Sequence, residues 1–321
     1  MIKKIAVIEN KIKSDILLAP LTTFKIGGRA KYFIEIKSEQ ELEEAIKWAK
    51  EKKVKIFFLG GGSNVLINDK EIDGLVLKIF NNKIIIKGEK IEVGAGAMLA
   101  QILNKAKEKG LSGLEWAIGI PGTIGGAVRG NAGWKNFQIG DIIETVFVYD
   151  MAKKKFISLN KKECAFNYRD SAFKKEKELI IWKIALKLKR KNKEEISALM
   201  KDFINKRNKT QPKSPCPGCI FKNVSFAELK KNNPVLAEKA RERGARFDLK
   251  PIGWAGWIIE MLEIKGKKIG RAEISPEHAN FIVNIGGATA DDVMQLISYV
   301  KQQARDKFKI QLEEEIEYIG F

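Results

Sequence analysis

The chain contains 321 residues, of which 45% are hydrophobic, and this length accommodates two or three domains with hydrophobic cores. The composition argues against intrinsic disorder, and no apolar run approaches the roughly 18 residues of a membrane-spanning helix. The basic amino terminus lacks the apolar segment of a secretion signal, so we expect a cytoplasmic protein that does not bind membranes.

The formal net charge of +19 raises the alternative of a nucleic-acid-binding protein. The lysines of this chain, however, are scattered among glutamates in segments such as EKKVK and KRKNKEE. They form neither a basic arm nor a cluster with aromatic residues. Lysines spread in this way are typical of a solvated surface. A basic surface would also suit an acidic or polyphosphate ligand, and charge alone does not choose between these partners.

An amphipathic helix is predicted over residues 38–53. Ser38 and Glu41 have the spacing of a capping box, which marks the beginning of a helix. Apolar residues then recur at helical spacing, at Leu42, Ala45, Ile46 and Ala49. The pattern predicts that this face of the helix packs against a core.

A strand that ends in a glycine-rich loop follows this helix. The apolar run VKIFFLG leads into Gly60, Gly61 and Gly62, and then into Ser63 and Asn64. Glycine lets backbone N–H groups approach a phosphate closely, and the two polar side chains add hydrogen bonds. The loop therefore suits a phosphate-bearing ligand, although an ordinary turn has the same composition.

A second glycine cluster comes after a predicted hairpin over residues 83–97 and a predicted helix over residues 98–111. Its sequence is GLEWAIGIPGTIGGAVRGNAG, with glycines at Gly119, Gly122, Gly125, Gly126, Gly130 and Gly133. So many glycines indicate a backbone that bends sharply and admits the atoms of another molecule. The cluster matches neither a Walker A loop nor the fingerprint of a Rossmann fold, so a bound dinucleotide would be held in another way.

Two cysteines, Cys216 and Cys219, have the C-x-x-C spacing of a redox dithiol or of half a zinc site. A zinc site would need both of them together with Cys164 and His278, which lie at unrelated spacings. A redox dithiol usually opens a helix, whereas prolines surround this pair and CIFKNV reads as a strand. On the residues alone, two incidental thiols in a turn are the simplest interpretation.

Seven stretches of the chain resemble the motifs of one family. They are TTFKIGGRA, LGGGSNVLI, GLEWAIGIPGTIGGAVRGNAG, NYRDSAF, GCIFKN, HANFIVN and LEEEIEYIG. Together they resemble the UDP-N-acetylenolpyruvoylglucosamine reductases, the MurB family of bacterial peptidoglycan synthesis. The resemblance covers nearly the whole chain, with the motifs in the same order.

The resemblance implies an α+β fold. Two FAD-binding subdomains of the vanillyl-alcohol-oxidase type, residues 1–78 and 79–211, would precede an α+β substrate-binding domain, residues 212–321. It also implies FAD as cofactor, NADPH as co-substrate, the enolpyruvyl ether of UDP-N-acetylglucosamine as substrate and UDP-N-acetylmuramate as product. We expect a monomer that binds no metal, no nucleic acid and no membrane.

The resemblance assigns catalytic roles to Arg169, Glu315 and Cys219. Hydride transfer to the enolpyruvyl alkene builds negative charge that spreads into the substrate carboxylate. The forked guanidinium of Arg169 would pair with that carboxylate, and Glu315 would help to polarise it. Cys219 stands where most members have a serine that donates the final proton. A thiol with an ordinary pKa of about 8.5 is protonated at pH 7 and suits that task.

The resemblance also implies which residues bind FAD and substrate. Those for FAD are Gly60, Gly61, Gly62, Ser63, Asn64, Gly119, Gly122, Thr123, Gly125, Gly126 and Ala127. Those for substrate are Tyr168, Lys222, Asn223, His278 and Asn280. A lone histidine is more often structural than catalytic, and the motif around His278 is the reason for including it.

One segment departs from the family pattern. Between FKNV and AGWIIE, where the family has a short loop, this chain has residues 225–254, with the helix-like stretch PVLAEKARERG inside. Long loops in compact domains tend to be functional, and we hypothesise a helical flap over the substrate channel.

Another FAD-dependent oxidoreductase of the same superfamily, acting on a sugar or a lactone, is an alternative. Such an enzyme would share the glycine loops. It would not need Arg169, Cys219 and Glu315 in three separate motifs, and their joint presence favours the reductase. A basic nucleic-acid-binding protein would explain the net charge but not the glycine clusters.

Overall fold

The computed structural model describes residues 8–242 and 254–321, and its contacts separate two compact units. Unit 1 consists of the described residues up to Leu17, Arg29–Gly62 and Glu71–Lys209. Unit 2 consists of Leu18–Gly28, Ser63–Lys70 and the described residues from Thr210 to Phe321. The division into three domains stays a prediction, and its first boundary, after residue 78, falls inside a strand of unit 1.

The first sheet of unit 1 has four strands. In spatial order they are β1 (Lys13–Leu17), β2 (Arg29–Ile36), β5 (Ile72–Ile79) and β3 (Lys55–Leu59). Strand β1 is antiparallel to β2, whereas β5 is parallel to both β2 and β3. Parallel strands need crossover connections, and helix α1 (Glu39–Glu51) lies between β2 and β3 in the chain.

Helix α1 confirms the amphipathic helix predicted over residues 38–53. The Ser38 hydroxyl accepts a hydrogen bond from the Glu41 N–H at 3.2 Å, and the Glu41 carboxylate accepts one from the Lys37 N–H at 2.6 Å. The predicted apolar face is buried, at Leu42, Ala45, Ile46 and Ala49. Burial of each leucine or isoleucine contributes about 1.5–3 kcal/mol, so the face fixes how the helix lies on the sheet.

The second sheet of unit 1 has five strands, each antiparallel to its neighbours. In spatial order they are β12 (Lys155–Asn160), β11 (Ile143–Asp150), β13 (Leu179–Lys187), β7 (Lys90–Gly94) and β6 (Ile84–Lys87). Strands β6 and β7 form the predicted hairpin, and helix α2 (Leu99–Glu108) is the predicted helix after it. The hairpin and the helix contribute side chains to one hydrophobic core, in which Trp116 is 2% exposed.

The other elements of unit 1 surround this core. Two pairs of short strands are β8 (Leu111–Ser112) with β14 (Lys189–Arg190), and β9 (Gly133–Trp134) with β10 (Phe137–Gln138). The helices are α3 (Ile124–Arg129), α4 (Ala172–Lys175) and α5 (Lys193–Asn208).

Unit 2 combines two small sheets with helices. Strand β4 (Val65–Ile67) pairs in parallel with β18 (Glu317–Ile319), and β15 (Lys268–Ile269), β16 (Ala272–Ile274) and β17 (Ile282–Asn284) form an antiparallel sheet. The helices are α6 (Phe226–Asn232), α7 (Pro234–Glu242), α8 (Trp254–Glu260) and α9 (Ala290–Phe308). No helix among the described residues combines the length and the apolar character needed to span a bilayer.

The segment that departs from the family pattern is helical where the structure describes it. Helices α6 and α7 bury Leu229, Leu236 and Ala240 in the core of unit 2. The Asn233 side-chain amide donates a hydrogen bond to the Phe308 carbonyl at 3.2 Å, which joins this segment to the end of α9. The two helices therefore belong to the core. Residues 243–253, on which the flap hypothesis also depends, lie outside the described residues.

Candidate functional site

The two glycine clusters come into contact within unit 1. A Cβ atom added to Gly61 would lie 2.5 Å from the Cα of Gly122, closer than real Cβ atoms approach other atoms. One added to Gly60 would lie 3.0 Å from the Thr123 hydroxyl oxygen. Glycine at position 61 thus lets the two loops touch, and together they form one glycine-lined surface.

This surface has an open side. Apart from its chain neighbours and the backbone of its own helix, a Cβ added to Gly126 would meet only the Thr123 hydroxyl oxygen within 4 Å among the described residues, at an ordinary 3.6 Å. The same hydroxyl caps α3, because it accepts a hydrogen bond from the Gly126 N–H at 3.4 Å. Open space over a glycine backbone, beside a hydroxyl, is where a phosphate can approach main-chain N–H groups. The surface therefore fits the diphosphate of a dinucleotide such as FAD.

Two other predicted cofactor glycines are explained by packing. Gly125 lies against Ala95, where an added Cβ would be 2.9 Å from the alanine Cβ. Gly119 has φ of +76°, a conformation that favours glycine, and an added Cβ would lie 2.9 Å from the Ile204 side chain. Both glycines permit close contacts inside unit 1, and their predicted contact with the cofactor stays a prediction.

Two of the predicted cofactor residues, Ser63 and Asn64, belong to unit 2 rather than unit 1. The Asn64 side-chain amide donates a hydrogen bond to the Glu315 carbonyl at 3.1 Å, and the Asn64 carbonyl accepts one from the Glu317 N–H at 3.1 Å. Asn64 therefore holds the segment that carries Glu315.

A tight turn in unit 1 carries Tyr168 and Arg169. Asn167 and Asp170 close it with reciprocal backbone hydrogen bonds of 3.0 and 3.2 Å. The Arg169 guanidinium carbon lies 5.4 Å from the centre of the Tyr168 ring, and its Nη2 donates a hydrogen bond to the Gly133 carbonyl at 2.9 Å. Arg169 has φ of +52°, in the left-handed region. Arginine there costs about 1–2 kcal/mol relative to glycine, and the hydrogen bonds of the turn hold it in this conformation.

Three of the recognised motifs meet in unit 2. The Ile220 N–H donates a hydrogen bond to the Asn280 carbonyl at 2.9 Å, and the Ile220 carbonyl accepts one from the Glu315 N–H at 2.7 Å. Cys219, the preceding residue, forms an antiparallel bridge with Phe281. The backbone of GCIFKN therefore lies between those of HANFIVN and LEEEIEYIG, and Cys219 and Glu315 belong to neighbouring backbone segments.

Asn280, predicted to bind substrate, is 3% exposed, and both polar atoms of its side-chain amide bond to the backbone of Phe221. Its Oδ1 accepts a hydrogen bond from the Phe221 N–H at 2.9 Å, and its Nδ2 donates one to the Phe221 carbonyl at 2.9 Å. The pair of bonds imitates a strand pairing. Asn280 therefore fixes the position of the segment that follows Cys219.

His278 in turn supports Asn280. Its Nδ1 accepts a hydrogen bond from the Asn280 N–H at 3.2 Å, and its ring centre lies 4.8 Å from that of Phe281. Burial, together with the charge of Lys265, lowers the pKa of His278 below its ordinary value of 6.5. A neutral ring is what the accepted hydrogen bond requires, because a protonated imidazole has no acceptor nitrogen.

Removing the Asn280 side chain is expected to destabilise unit 2. An Asn280→Ala substitution leaves a buried N–H and a buried carbonyl of Phe221 without partners, and each such group costs about 1–3 kcal/mol. We expect the free energy of unfolding to fall by about 2–5 kcal/mol, measured by urea denaturation. A matched control is Asn232→Ala on the exposed face of α6, which we expect to change it by less than about 0.5 kcal/mol. Equal losses in the two variants would contradict the assignment.

In the acidic stretch before the last strand, Glu313 and Glu314 have different partners. Glu313 pairs with Lys222, with Nζ and Oε2 3.2 Å apart. Glu314 pairs with Lys301 at 2.6 Å and accepts a hydrogen bond from the Tyr318 hydroxyl at 2.6 Å. Burial raises the pKa of Glu314, but the bonds from Lys301 and Tyr318 outweigh it and the net shift is downward. The N–H of Glu315 joins it to the segment after Cys219.

The C-x-x-C pair contains free thiols. The Cys216 carbonyl accepts a hydrogen bond from the Thr23 hydroxyl at 2.8 Å, and burial raises the pKa of its thiol. Gly218, between the cysteines, has φ of +92° and bends the chain. Cys164 lies in the core of unit 1, where burial raises its pKa to about 11. Among residues 8–242 and 254–321, no three histidine, cysteine or acidic side chains are grouped closely enough to hold a metal.

Asn284 is a linking residue that the sequence did not single out. It is 6% exposed, and its Nδ2 donates a hydrogen bond to the Phe24 carbonyl at 3.0 Å. Its Oδ1 accepts from the Gly286 N–H at 2.9 Å, and its own N–H donates to the Pro215 carbonyl at 2.9 Å. Asn284 therefore ties TTFKIGG and the cysteine turn to HANFIVN. A buried asparagine at the end of an apolar strand is the signal that could have identified it.

Comparison with known proteins identifies both parts of the chain. Residues 30–154 match the model of an FAD binding domain, and residues 211–319 match that of the UDP-N-acetylenolpyruvoylglucosamine reductase C-terminal domain. A UDP-N-acetylenolpyruvoylglucosamine reductase of Thermotoga maritima is 40% identical over 298 residues, which are 92% of this chain and 94% of that protein. One of Prochlorococcus marinus is 37% identical over 315 residues, 97% of this chain and 99% of that protein.

A solved structure agrees with the sequence relatives. The crystal structure of UDP-N-acetylenolpyruvylglucosamine reductase (MurB) from Thermus caldophilus matches with a TM-score of 0.76 and 32% identity, and it covers 96% of this chain and 98% of that one. These findings confirm the predicted α+β fold class, with an FAD-binding region followed by a carboxyl-terminal domain. The chain belongs to the MurB family of UDP-N-acetylenolpyruvoylglucosamine reductases, which are FAD-dependent oxidoreductases.

Proposed function

We propose that the protein reduces UDP-N-acetylenolpyruvoylglucosamine to UDP-N-acetylmuramate with NADPH, as a cytoplasmic monomer that serves peptidoglycan synthesis. The family relationship supports the reaction. The observation that carries the proposal is the 2.7 Å hydrogen bond from the Glu315 N–H to the Ile220 carbonyl, because it joins the segment of the proposed proton donor, Cys219, to that of the proposed catalytic glutamate.

The glycine-lined surface of unit 1 is the proposed FAD site. Gly60, Gly61, Gly122 and Gly126 line it, and Thr123 supplies a hydroxyl. FAD, when bound, supplies the hydride-transfer chemistry between the nicotinamide and the alkene. The protein's part there is to bind and orient, through the Thr123 hydroxyl and a backbone that glycine leaves free of side chains.

The substrate carboxylate needs a cation, and we assign that role to Arg169. Negative charge spreads into the carboxylate as hydride reaches the alkene, so a cation that interacts more strongly with the developing enolate lowers the barrier. Arginine stays protonated at neutral pH, and its planar fork matches a carboxylate with two hydrogen bonds. The ring of Tyr168, 5.4 Å from the guanidinium carbon, supports the orientation of the fork.

The enolate must then receive a proton at the carbon next to the carboxylate, and we assign the donor role to Cys219. Donation of this proton to carbon changes the thiol to a thiolate and the enolate to the carboxylate of the product. Glu315 is assigned to polarise the enolpyruvyl carboxylate. Lys222 and Asn223, both half-buried and next to the same segment, are the proposed contacts for the UDP-sugar.

An absorption spectrum of the purified protein tests the proposal. We expect flavin bands that bleach on anaerobic addition of NADPH and return on addition of the enolpyruvyl substrate. A protein that binds FAD but is reoxidised only by oxygen would favour an oxidase of sugars or lactones instead. A colourless protein that cannot be reconstituted with FAD would exclude the proposed reaction.

A Gly126→Ala substitution tests the cofactor site separately from folding. The added methyl group projects into the open side of the glycine-lined surface, and we expect FAD binding to weaken by roughly 10- to 100-fold, since overpacking costs about 1–3 kcal/mol. Within α3, alanine should stabilise the FAD-free protein by up to about 1 kcal/mol. Fluorescence titration with FAD and thermal unfolding measure the two effects.

Gly130→Ala, at the end of the same helix, is the matched control, because its added Cβ would be in ordinary contact, 3.6 Å from the Gly126 carbonyl oxygen. We expect it to leave FAD affinity unchanged. Unchanged affinity in Gly126→Ala as well would place the cofactor elsewhere.

A further inference from the structure

The turn that carries Arg169 is held by the loop that follows α3. This loop and the last residue of α3, together residues 129–133, lie in the second glycine cluster as RGNAG, and the turn, residues 167–171, lies in the motif NYRDSAF. The Ser171 hydroxyl donates a hydrogen bond to the Arg129 carbonyl at 2.6 Å, and Ser171 is fully buried. On the other side of the turn, Arg169 itself donates to the Gly133 carbonyl.

Asn131 is at the centre of this contact. It is 1% exposed, and its Nδ2 donates a hydrogen bond to the Asn167 carbonyl at 2.7 Å and one to the Gln138 side chain at 3.1 Å. Its Oδ1 accepts from the Gly140 N–H at 3.0 Å. All the side-chain hydrogen atoms of this amide are therefore used, and the shortest bond goes to the residue that begins the turn.

The backbone of Asn131 adds a second argument. Its φ is +42°, so Asn131 and Arg169 are both non-glycine residues in the left-handed region, on the two sides of one contact. Left-handed conformations of this kind persist only where surrounding hydrogen bonds determine them. Asparagine tolerates this region better than most residues, and here its amide also supplies the bonds that hold the facing turn.

We propose that Asn131 is a positioning residue for Arg169: it fixes the turn through the Asn167 carbonyl and so sets where the guanidinium meets the substrate carboxylate. The inference rests on the catalytic role proposed for Arg169. A displacement of about 1 Å at a group that aligns a substrate lowers a rate by roughly 100-fold, so a single buried hydrogen bond suffices for a large effect.

Asn131→Asp is the most selective variant, because aspartate keeps the acceptor for the Gly140 N–H, tolerates the backbone conformation and lacks the donor to Asn167. We expect FAD content and the rate of flavin reduction by NADPH to be retained. Reoxidation by the enolpyruvyl substrate should slow roughly 10- to 100-fold, as measured by stopped-flow absorbance. Gln138→Ala removes the other acceptor of the same amide, together with the hydrogen bond that Gln138 Nε2 donates to Asp141 at 3.0 Å, and leaves the bond to Asn167 in place. It should reoxidise at the wild-type rate. Wild-type reoxidation in Asn131→Asp would overturn the inference.

A double-mutant cycle distinguishes positioning from a general structural role. If Asn131 acts through Arg169, the combination with Arg169→Ala should reoxidise no more slowly than Arg169→Ala alone, whereas independent effects would multiply. Multiplying effects would overturn the inference. Should Asn131→Asp fail to bind FAD, Ser171→Ala replaces it in the cycle with the same expectations, because it removes the bond from the turn to the Arg129 carbonyl.

The cycle also separates this inference from the function on which it rests. Wild-type reoxidation in Arg169→Ala would refute the catalytic role of Arg169 and the inference with it. Slow reoxidation in Arg169→Ala, combined with wild-type rates in Asn131→Asp and Ser171→Ala, would refute the inference alone.

Discussion

Cys219→Ala is expected to slow reoxidation of the flavin by the enolpyruvyl substrate by about 10² to 10⁴, the usual contribution of a general acid. Alanine has no proton to donate, so the enolate would have to take its proton from water that is not held in position. Cys219→Ser restores a donor with a hydroxyl at nearly the same place, and we expect it to keep substantial turnover. Reduction by NADPH, which needs no proton from this residue, should proceed at the wild-type rate in both variants.

Cys216→Ala is the matched control for this experiment. Cys216 has the same chemistry three residues away, and its carbonyl, which accepts the hydrogen bond from Thr23, is unaffected by the substitution. We expect normal turnover, measured as NADPH consumption in the presence of the enolpyruvyl substrate. Full activity of Cys219→Ala would refute the assignment of the proton donor, and a large loss in Cys216→Ala would point to the C-x-x-C pair acting as a unit.

Substitution of Arg169 is expected to give a loss of about 10² to 10³ in the rate of reoxidation, comparable to the removal of one preorganised donor from an oxyanion site. The effect should appear in Arg169→Ala and in Arg169→Gly. Arg169→Lys should recover only part of the rate, because an ammonium group keeps the charge but lacks the planar fork.

The left-handed backbone at residue 169 separates this catalytic effect from stability. At φ of +52°, glycine is accommodated without strain and alanine is not. The free energy of unfolding of Arg169→Gly, measured by urea denaturation, should therefore exceed that of Arg169→Ala by about 1 kcal/mol. Both variants lose the hydrogen bond to the Gly133 carbonyl, so the difference between them reports the backbone strain at residue 169. If the reoxidation rates of the variants varied with their stability and not with the presence of the guanidinium group, the result would contradict the catalytic role of Arg169.

Several features of the fold could be predicted from local sequence. The capping box at Ser38, the buried face of α1 and the hairpin of β6 and β7 depend on residues close together in the chain, so their spacing alone reveals them. The helix within residues 225–254 was predicted in the same way. Its place in the core was not, because burial depends on Phe308 and other residues distant in sequence.

In the candidate site, too, local sequence predicted some features and left others undetermined. Glycine clusters were predicted to admit a ligand. In the structure, Gly61 and Gly125 lie in close contact with other parts of unit 1, whereas Gly126 leaves room beside the Thr123 hydroxyl. Sequence cannot separate these two uses of glycine, since both require a missing side chain.

By itself, the sequence determined the family, the fold class and the identity of the candidate chemical groups, because these follow from residue types in a fixed order. Only the tertiary structure decided how Asn280, His278 and Asn131 are used. Their hydrogen bonds hold Phe221, Asn280 and Asn167 in place, and the first and last of these bonds join residues 59 and 36 positions apart in the chain. Such pairings arise from strand register and chain crossing, which local spacing does not encode. His278 and Asn280 thus support the backbone around Cys219, and their predicted contact with substrate stays a prediction.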